Sequence, residues 1–183
     1  MQYHPHTVQA RADTALGPVR LAASPAGLCG VWFEGQRHEP SHQLHGDSAW
    51  AEASDHALLQ EATGQLQRYL RGERAGFDLP LDLSGGTPFQ QEVWQALLAI
   101  GRGGTSTYGH LSQQLGRPRA VRAVGAAVGR NPLSVIVPCH RVLGADGSLT
   151  GYAGGLPRKA ALLALEQALK PAPPALASMH RHR

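Results

Sequence analysis

Hydrophobic and polar positions follow different periods in the two halves of the chain. In residues 17–35, GPVRLAASPAGLCGVWFEG, two short β-prone runs (VRLAA and LCGVWF) flank Ser24-Pro25-Ala26-Gly27, a turn composition, so the stretch reads as a β-hairpin. Residues 36–47 carry histidine and glycine and read as a loop. From about Ala51 to Leu70 the period changes. Leu58, Leu59, Ala62, Leu66, Tyr69 and Leu70 recur at helical spacing and predict one amphipathic helix. FDLPLDL, residues 77–83, returns to alternation, and Pro80, with no N–H to give a neighbour, predicts an edge strand. Ser84-Gly85-Gly86 marks a boundary between residues 1–85 and 86–170.

The second part is helical by pattern. Thr87 suits an N-cap, Pro88 the first helical position, and Gln90 the capping-box spacing. Phe89, Val93, Ala96, Leu97 and Ile100 mark one face, and Gly101 stops the helix. Another helix runs from Thr107 through YGHLSQQL to Gly116. RPRAVRAVGAAVGRN follows almost at once, with Val121, Val124, Gly125 and Val128 on one stripe. Two short helices joined by a tight glycine-containing turn outline a helix-turn-helix. SVIV (134–137) reads as a short strand, GADGS as a turn, and LPRKAALLALEQAL (156–169) as a last helix with Pro157 near its start. Residues 171–183, rich in proline and alanine, read as a frayed tail. No internal repeat is evident.

Composition narrows the class. With 42% hydrophobic and 16% charged residues over 183 positions, the chain is expected to be globular rather than disordered. No apolar run approaches the roughly 18 residues that span a bilayer. The opening MQYHPHTVQARADTALG lacks the basic-then-apolar layout of a secretory signal. Two cysteines, Cys29 and Cys139, make no disulfide framework, which suits free thiols in a reducing cytoplasm. The net charge of +4 conceals an asymmetry: residues 1–85 carry 6 Arg against 10 Asp/Glu, and residues 86–183 carry 11 Arg/Lys against 3. A basic part beside an acidic one points to a polyanion partner, although a solvated surface would carry the same surplus.

Several residues could carry chemistry. With Val121, Val124 and Val128 turned inward, Arg119, Arg122 and Arg130 fall on the outer side of their helix, where arginines hold phosphates or enter a groove. An ordinary wet helix face looks the same. Glu166 sits within the apolar stripe of the last helix, between Leu162, Leu163 and Leu169. A carboxylate there needs a partner, either a structural one or a histidine that it orients. Cys139 and His140 are neighbours, and in extended chain neighbours point to opposite faces, so contact requires a turn or a bridging water. Alone, Cys139 is either an inert small hydrophobe or a thiol activated by the histidine, the basic surroundings and the carboxylate. Cys29, His38, His42 and His45 are ligand types at a spacing that matches no tight zinc pattern, so no metal is expected. No glycine-rich phosphate cradle is present, and no cofactor is expected.

NPLSVIVPCHRV, GYAGG and a glutamate in the final helix, preceded in order by TPFQQEVWQALLAI, YGHL and RAVGAA, resemble the methylated-DNA–protein-cysteine methyltransferase (O6-alkylguanine-DNA alkyltransferase) family. The resemblance covers about residues 17–170 and is most specific over 87–166. It implies an α/β (α+β) protein of two parts: an N-terminal ribonuclease-H-like sheet-and-helix domain (1–85) and a C-terminal helical domain with a helix-turn-helix (86–170). It also implies irreversible, single-turnover transfer of an alkyl group from O6-alkylguanine in duplex DNA to a cysteine of the protein itself. The base is flipped out of the stack, and O4-alkylthymine stays open as a second substrate. The protein would be a monomer in the cytoplasm with duplex DNA as partner, no membrane, and no metal or cofactor.

Residue by residue, Cys139 matches the acceptor and His140 the base acting through a water. Glu166 matches the carboxylate that orients His140, and Asn131 the residue that holds the active-site turn. Tyr108 matches the donor to guanine N3. Arg122 matches the arginine that fills the gap left by the flipped nucleotide, with Arg119 and Arg130 beside it on the DNA. Ala123, Gly125, Ala126 and Ala127 are small enough to let the helix approach the minor groove. Tyr152 matches a wall of the alkyl pocket, with Ala153 and Val142 completing it. Ala153 departs from the serine some relatives carry, so a side-chain hydroxyl contact to O6 is lost. Two readings compete: a damage-recognition protein that transfers nothing, against which the presence of Cys139 argues, and a Cys–His–Glu hydrolase, which would turn over repeatedly.

Overall fold

The computed structural model describes residues 1–169; the expected tail at 171–183 lies outside the described residues. Strands β1 (Val8–Ala12), β2 (Val19–Ser24) and β3 (Gly27–Phe33) form an antiparallel meander. A two-residue strand β4 (Ala51–Glu52) adds in parallel to β1, giving the order β3-β2-β1-β4. The expected hairpin is β2–β3. Strand β1 escaped the pattern because its apolar positions are Val8 and two alanines, and alanine has little β preference.

A bulge in β3 decides what its side chains face. The register with β2 shifts between Ala22 and Ala23, so Ala22 pairs with Gly30 and Ala23 with Leu28, leaving Cys29 as the extra residue. Strict alternation would put Leu28 opposite Val31 and Phe33; the inserted residue returns all three to one core. Cys29 and Trp32 instead join Ala22 and Leu44 in a smaller cluster on the other side of the sheet. Gly30 is required there, because a Cβ would lie 1.8 Å from the Trp32 ring.

The helix expected from Ala51 begins later. Helix α2 spans Ala57–Leu70, because Ala51 and Glu52 pair with Val8 and Gln9 and the Ala53 N–H donates to Gln9 O (2.8 Å). A one-turn helix α1 (Ser41–Leu44) interrupts the expected 36–47 loop and buries Leu44. Residues 77–83 make no strand. Leu81 forms a single parallel bridge with Leu28, through Leu28 N–H to Pro80 O and Asp82 N–H to Leu28 O (both 2.8 Å).

Helix α3 (Pro88–Leu98) starts as the sequence predicts: Thr87 Oγ1 accepts from Gln90 N and Gln90 Oε1 accepts from Thr87 N. Its buried Trp94 donates from Nε1 to Ala127 O (2.9 Å). Strand β5 (Ser106–Thr107) leads into α4 (Tyr108–Gln114), capped by Thr107 Oγ1, and α5 (Val121–Gly129) follows after a turn. Val121 does not turn inward. It is 38% exposed, because the packed stripe is Val124, Ala127 and Val128 and Val121 opens the helix beyond it.

SVIV is not a strand. Leu133 makes one parallel bridge with Val31, and the chain then turns, with Val135 at φ +72°. A single 3₁₀ turn, Cys139–Arg141, precedes β6 (Val142–Leu143), which pairs in parallel with β5. The last helix, α6 (Leu156–Leu165), ends four residues before Leu169, which is 40% exposed and belongs to no stripe. Ala168 N–H bonds Leu163 O and Gln167 N–H bonds Ala164 O, a Schellman ending with Gln167 at φ +57°.

One core runs from the inner face of the sheet through α2, α3, α5 and α6. The outer edge of β3 is covered by backbone from both halves: residues 80–82 at Leu28, and residues 132–134 at Val31, where Val31 N–H bonds Pro132 O and Ser134 N–H bonds Val31 O. No helix among the described residues is long and apolar enough to cross a membrane.

Candidate active site

The turn around Cys139 is held from behind. Asn131 Nδ2 donates to Val137 O (2.8 Å) and to Cys139 Sγ (3.1 Å), while Asn131 Oδ1 accepts from Leu133 N (2.9 Å). One buried amide thus closes the Leu133–Val137 turn and touches the sulfur. Cys139 is buried at the start of the 3₁₀ turn, on the wall of a cavity of about 380 Å³. Burial pushes its thiol pKa up; the Asn131 hydrogen bond and the Lys159 charge pull it down without prevailing. Of the features that favoured a reactive thiol, the basic surroundings are outweighed by dehydration: Lys159 lowers the pKa, but burial raises it more.

His140 follows Cys139 in the same 3₁₀ turn. The 3₁₀ turn supplies the bend that extended chain could not. His140 is fully buried, and its Nε2 lies 2.7 Å from Glu166 Oε1. Burial lowers the His140 pKa below the ordinary imidazole value against the pull of Glu166, so the ring is neutral at pH 7. With the proton on Nε2 facing the carboxylate, Nδ1 carries the lone pair. Nδ1 is buried with no hydrogen-bond partner among the described residues.

Glu166 is positioned by the end of α6 rather than by its middle. The Schellman turn leaves Glu166 at the C-cap, where Arg141 Nε reaches its Oε2 (2.8 Å) and Arg141 Nη2 and Tyr69 Oη reach its Oε1 (3.1 and 2.5 Å). Burial raises its pKa, but the His140, Arg141 and Tyr69 contacts outweigh it and hold the carboxyl at about 2. Both halves of the chain meet at this carboxylate, Tyr69 coming from α2.

Lys159 belongs to the same assembly. Fully buried, its Nζ donates to Val142 O (2.5 Å), Thr150 O (2.8 Å) and Gly151 O (3.3 Å), tying the 150–151 loop to α6. Burial drops its pKa to about 8. Sequence reasoning missed it, although Lys159 lies three residues before Leu162 on the stripe that singled out Glu166. Arg141 and Tyr69 were missed as site residues too: one lies in no periodic element, the other counted as apolar.

The cavity is walled by Tyr108, Gly125, Ala126, Val128, Gly129, Arg130, Gly151, Tyr152 and Ala153, with Arg37 and His38 from the N-terminal half. Arg37 N–H bonds Ala153 O (3.1 Å), and no sequence signal pointed to it or to His38 as a wall. Tyr108 Oη bonds Thr150 O (3.3 Å). The Tyr152 ring stands edge-on to His140, centroids 6.5 Å apart, its hydroxyl buried without a partner among the described residues. Val142 is not on the cavity wall: its side chain is in the core and its carbonyl holds Lys159. On α5, Arg122, Ala123 and Ala126 are exposed beside Arg119 and Arg130, and Gly125 packs against Tyr108. No three of Cys29, His38, His42 and His45 come together as a metal-holding group among the described residues.

Residues 8–83 match the ribonuclease-like domain of 6-O-methylguanine DNA methyltransferase, and residues 88–168 match its DNA binding domain. The methylated-DNA–protein-cysteine methyltransferase of Mycobacterium tuberculosis is 47% identical over 160 residues, covering 87% of this chain and 92% of the relative. That of Methanosarcina acetivorans is 44% identical over 155 residues, covering 84% and 94%. The crystal structure of M. tuberculosis OGT in complex with DNA superimposes with a TM-score of 0.77 at 44% identity, over 87% of this chain and 92% of that one. The O6-methylguanine-DNA methyltransferase of Pyrococcus kodakaraensis gives 0.64 at 25% identity, over 87% and 98%.

Proposed function

The chain belongs to the 6-O-methylguanine DNA methyltransferase family, and from that premise we propose how its site performs the reaction. The protein repairs DNA by moving the alkyl group of O6-alkylguanine onto one of its own cysteines. Cys139 is that acceptor. Its proton leaves through a water to His140 Nδ1, and the imidazolium is stabilised by Glu166. The sulfur attacks the alkyl carbon, an S–C bond forms, and the C–O6 bond breaks with its electron pair on the purine. Tyr108 supplies a proton or hydrogen bond at N3, so no bare anion has to leave. The thioether has no route back, and one molecule repairs one lesion.

O6 of a stacked guanine is out of reach, so the nucleotide must leave the duplex at a cost of a few kcal/mol. Arg122 fills the gap, Arg119 and Arg130 hold phosphates, and the small Ala123, Gly125 and Ala126 let α5 lie close in the minor groove. Tyr152 and Ala153 wall the alkyl group. The cavity, at about 380 Å³, is within the usual range for a small-molecule pocket. The single observation that carries this reading is the placement of Cys139 on that cavity wall, followed in the same turn by a buried histidine whose Nε2 lies 2.7 Å from Glu166. We further propose a division near Gly85–Gly86, which falls between the two family matches, and a monomer working in the cytoplasm.

Intact-mass measurement and peptide mapping after mixing with excess duplex containing O6-methylguanine test the reading. One methyl per protein, on the Cys139 peptide and not on that of Cys29, is expected. Repaired DNA beside unmodified protein would mean a turning-over enzyme, and bound but unrepaired DNA a recognition module.

A further inference from the structure

The Tyr69 hydroxyl lies inside the buried cluster behind the acceptor thiol, yet it is carried by the N-terminal half. It accepts from Arg141 Nη2 (3.2 Å) and donates to Glu166 Oε1 (2.5 Å), the same oxygen that His140 Nε2 meets at 2.7 Å. The phenol ring is fixed by its own packing. It is fully buried, lies 4.7 Å from Phe77 between centroids, and carries the Arg102 guanidinium above it. Burial raises its pKa to about 12, so it remains a donor at every working pH.

A carboxylate at a helix end can turn about its side-chain torsions, and Arg141 alone binds both of its oxygens. The third donor makes the difference, since it fixes which oxygen faces His140 and at what angle. We propose that Tyr69 is a positioning residue for the reaction: by holding Glu166 Oε1 against His140, it lets α2 of the N-terminal half set the proton affinity of Cys139. The inference rests on the repair reading for its purpose, but its geometry stands on the cluster alone. Seen this way, the relay runs Tyr69–Glu166–His140–Cys139 and is complete only when both halves are packed together.

The other charged or titratable groups that bear on it are Arg141 from the 3₁₀ turn, Lys159 from α6, Tyr108 from α4, Tyr152 from the cavity loop, and Arg102 over the phenol. Of these only Arg141 touches the Tyr69 hydroxyl; in Tyr69→Phe its Nη2 loses that acceptor but keeps Glu166 Oε1 (3.1 Å), so the variant removes the phenol oxygen while leaving the other groups in place.

The test reads the thiol directly, without DNA. Wild-type protein and Tyr69→Phe are labelled with iodoacetamide across a pH series, and Cys139 and Cys29 are followed as separate peptides. Cys29 is buried in the N-terminal sheet and reports loosening of the fold. The expected result is a Cys139 midpoint higher by roughly one pH unit, the size of one lost charge-assisted hydrogen bond, with Cys29 still protected. A midpoint that does not move overturns the proposal. If Tyr69→Phe exposes Cys29, the titration is repeated with 3-fluorotyrosine at position 69, which keeps the ring and hydroxyl but changes donor strength. A shifted midpoint then upholds the role, and an unshifted one overturns it. Methyl transfer from O6-methylguanine duplex is measured on the same samples. Its absence in wild type would sink the repair reading while leaving the thiol titration to decide Tyr69.

Discussion

Glu166 accepts from Tyr69, His140 and Arg141 at once, and its replacement separates charge from shape. In the folded protein its pKa is held at about 2, below the ordinary 4.5, so between those values the unfolded chain binds more protons than the folded one. Its stabilising contribution is complete above about pH 4.5 and disappears as pH falls toward 2. Glu166→Gln keeps the volume but leaves Arg141 buried without its counter-charge. The expected cost is about 3 kcal/mol at pH 7, with a smaller stability difference between pH 3 and pH 7 than in wild type. Urea unfolding at the two pH values measures both, and equal slopes in wild type and variant would show that Glu166 is not the group titrating. In the sequence, Glu166 was legible as a carboxylate among leucines, and Cys139 and His140 as neighbours with a family pattern around them. Asn131 could be matched but its geometry could not be foreseen, since the turn it closes was read as the strand SVIV. Tyr69 was hidden by its own amphipathic character: at helical spacing its ring counted as core, and only the packed structure shows where the hydroxyl points.

At the level of elements, local rules were legible wherever local chemistry decides. Thr87, Pro88 and Gln90 announce α3 because a capping box is satisfied within four residues. The failures share another cause. Residues 51–52, 81 and 133 are each claimed by backbone partners far along the chain, β1 for the first and β3 for the other two, and no window of sequence contains those partners. The helix α5 illustrates both cases: Val124 and Val128 pack as the stripe predicts, but Val121 stands outside it, Gly125 lines the cavity, and Ala127, expected at the groove, is buried in the core. The solvent face of α5 carries Arg122, the residue proposed to fill the gap left by the flipped nucleotide. Arg122→Ala is expected to slow repair of O6-methylguanine in duplex at least tenfold, while reaction with the free modified base changes less than twofold, because only the duplex needs a flipped state propped open. Single-turnover rates on both substrates check this, and an equal loss on the two would remove Arg122 from that role.

Across the whole molecule, charge is divided as sharply as structure. Residues 86–183 carry 11 basic against 3 acidic side chains, and the exposed Arg119, Arg122 and Arg130 lie on or beside one helix. Each phosphate contact releases counterions, so replacing Arg119 and Arg130, the two proposed on phosphates, with alanine is expected to flatten the log–log salt dependence of duplex binding by up to about 1.8. Binding isotherms between low and physiological salt read that slope, and an unchanged slope would place the phosphate contacts elsewhere. The asymmetry of charge does not make the halves separable. Strand β3 has its outer edge occupied by Pro132–Ser134 as well as by Pro80–Asp82. A truncated gene product ending near Gly85 would keep residues 80–82 and lose residues 132–134, exposing the backbone of Val31 along a strand whose every residue is buried in the intact chain. Such a fragment offers a ready template for another strand, and its natural fate is self-association or recapture of the missing half. Any rearrangement that parts the N-terminal half from residues 132–134 must first find a new cover for that edge.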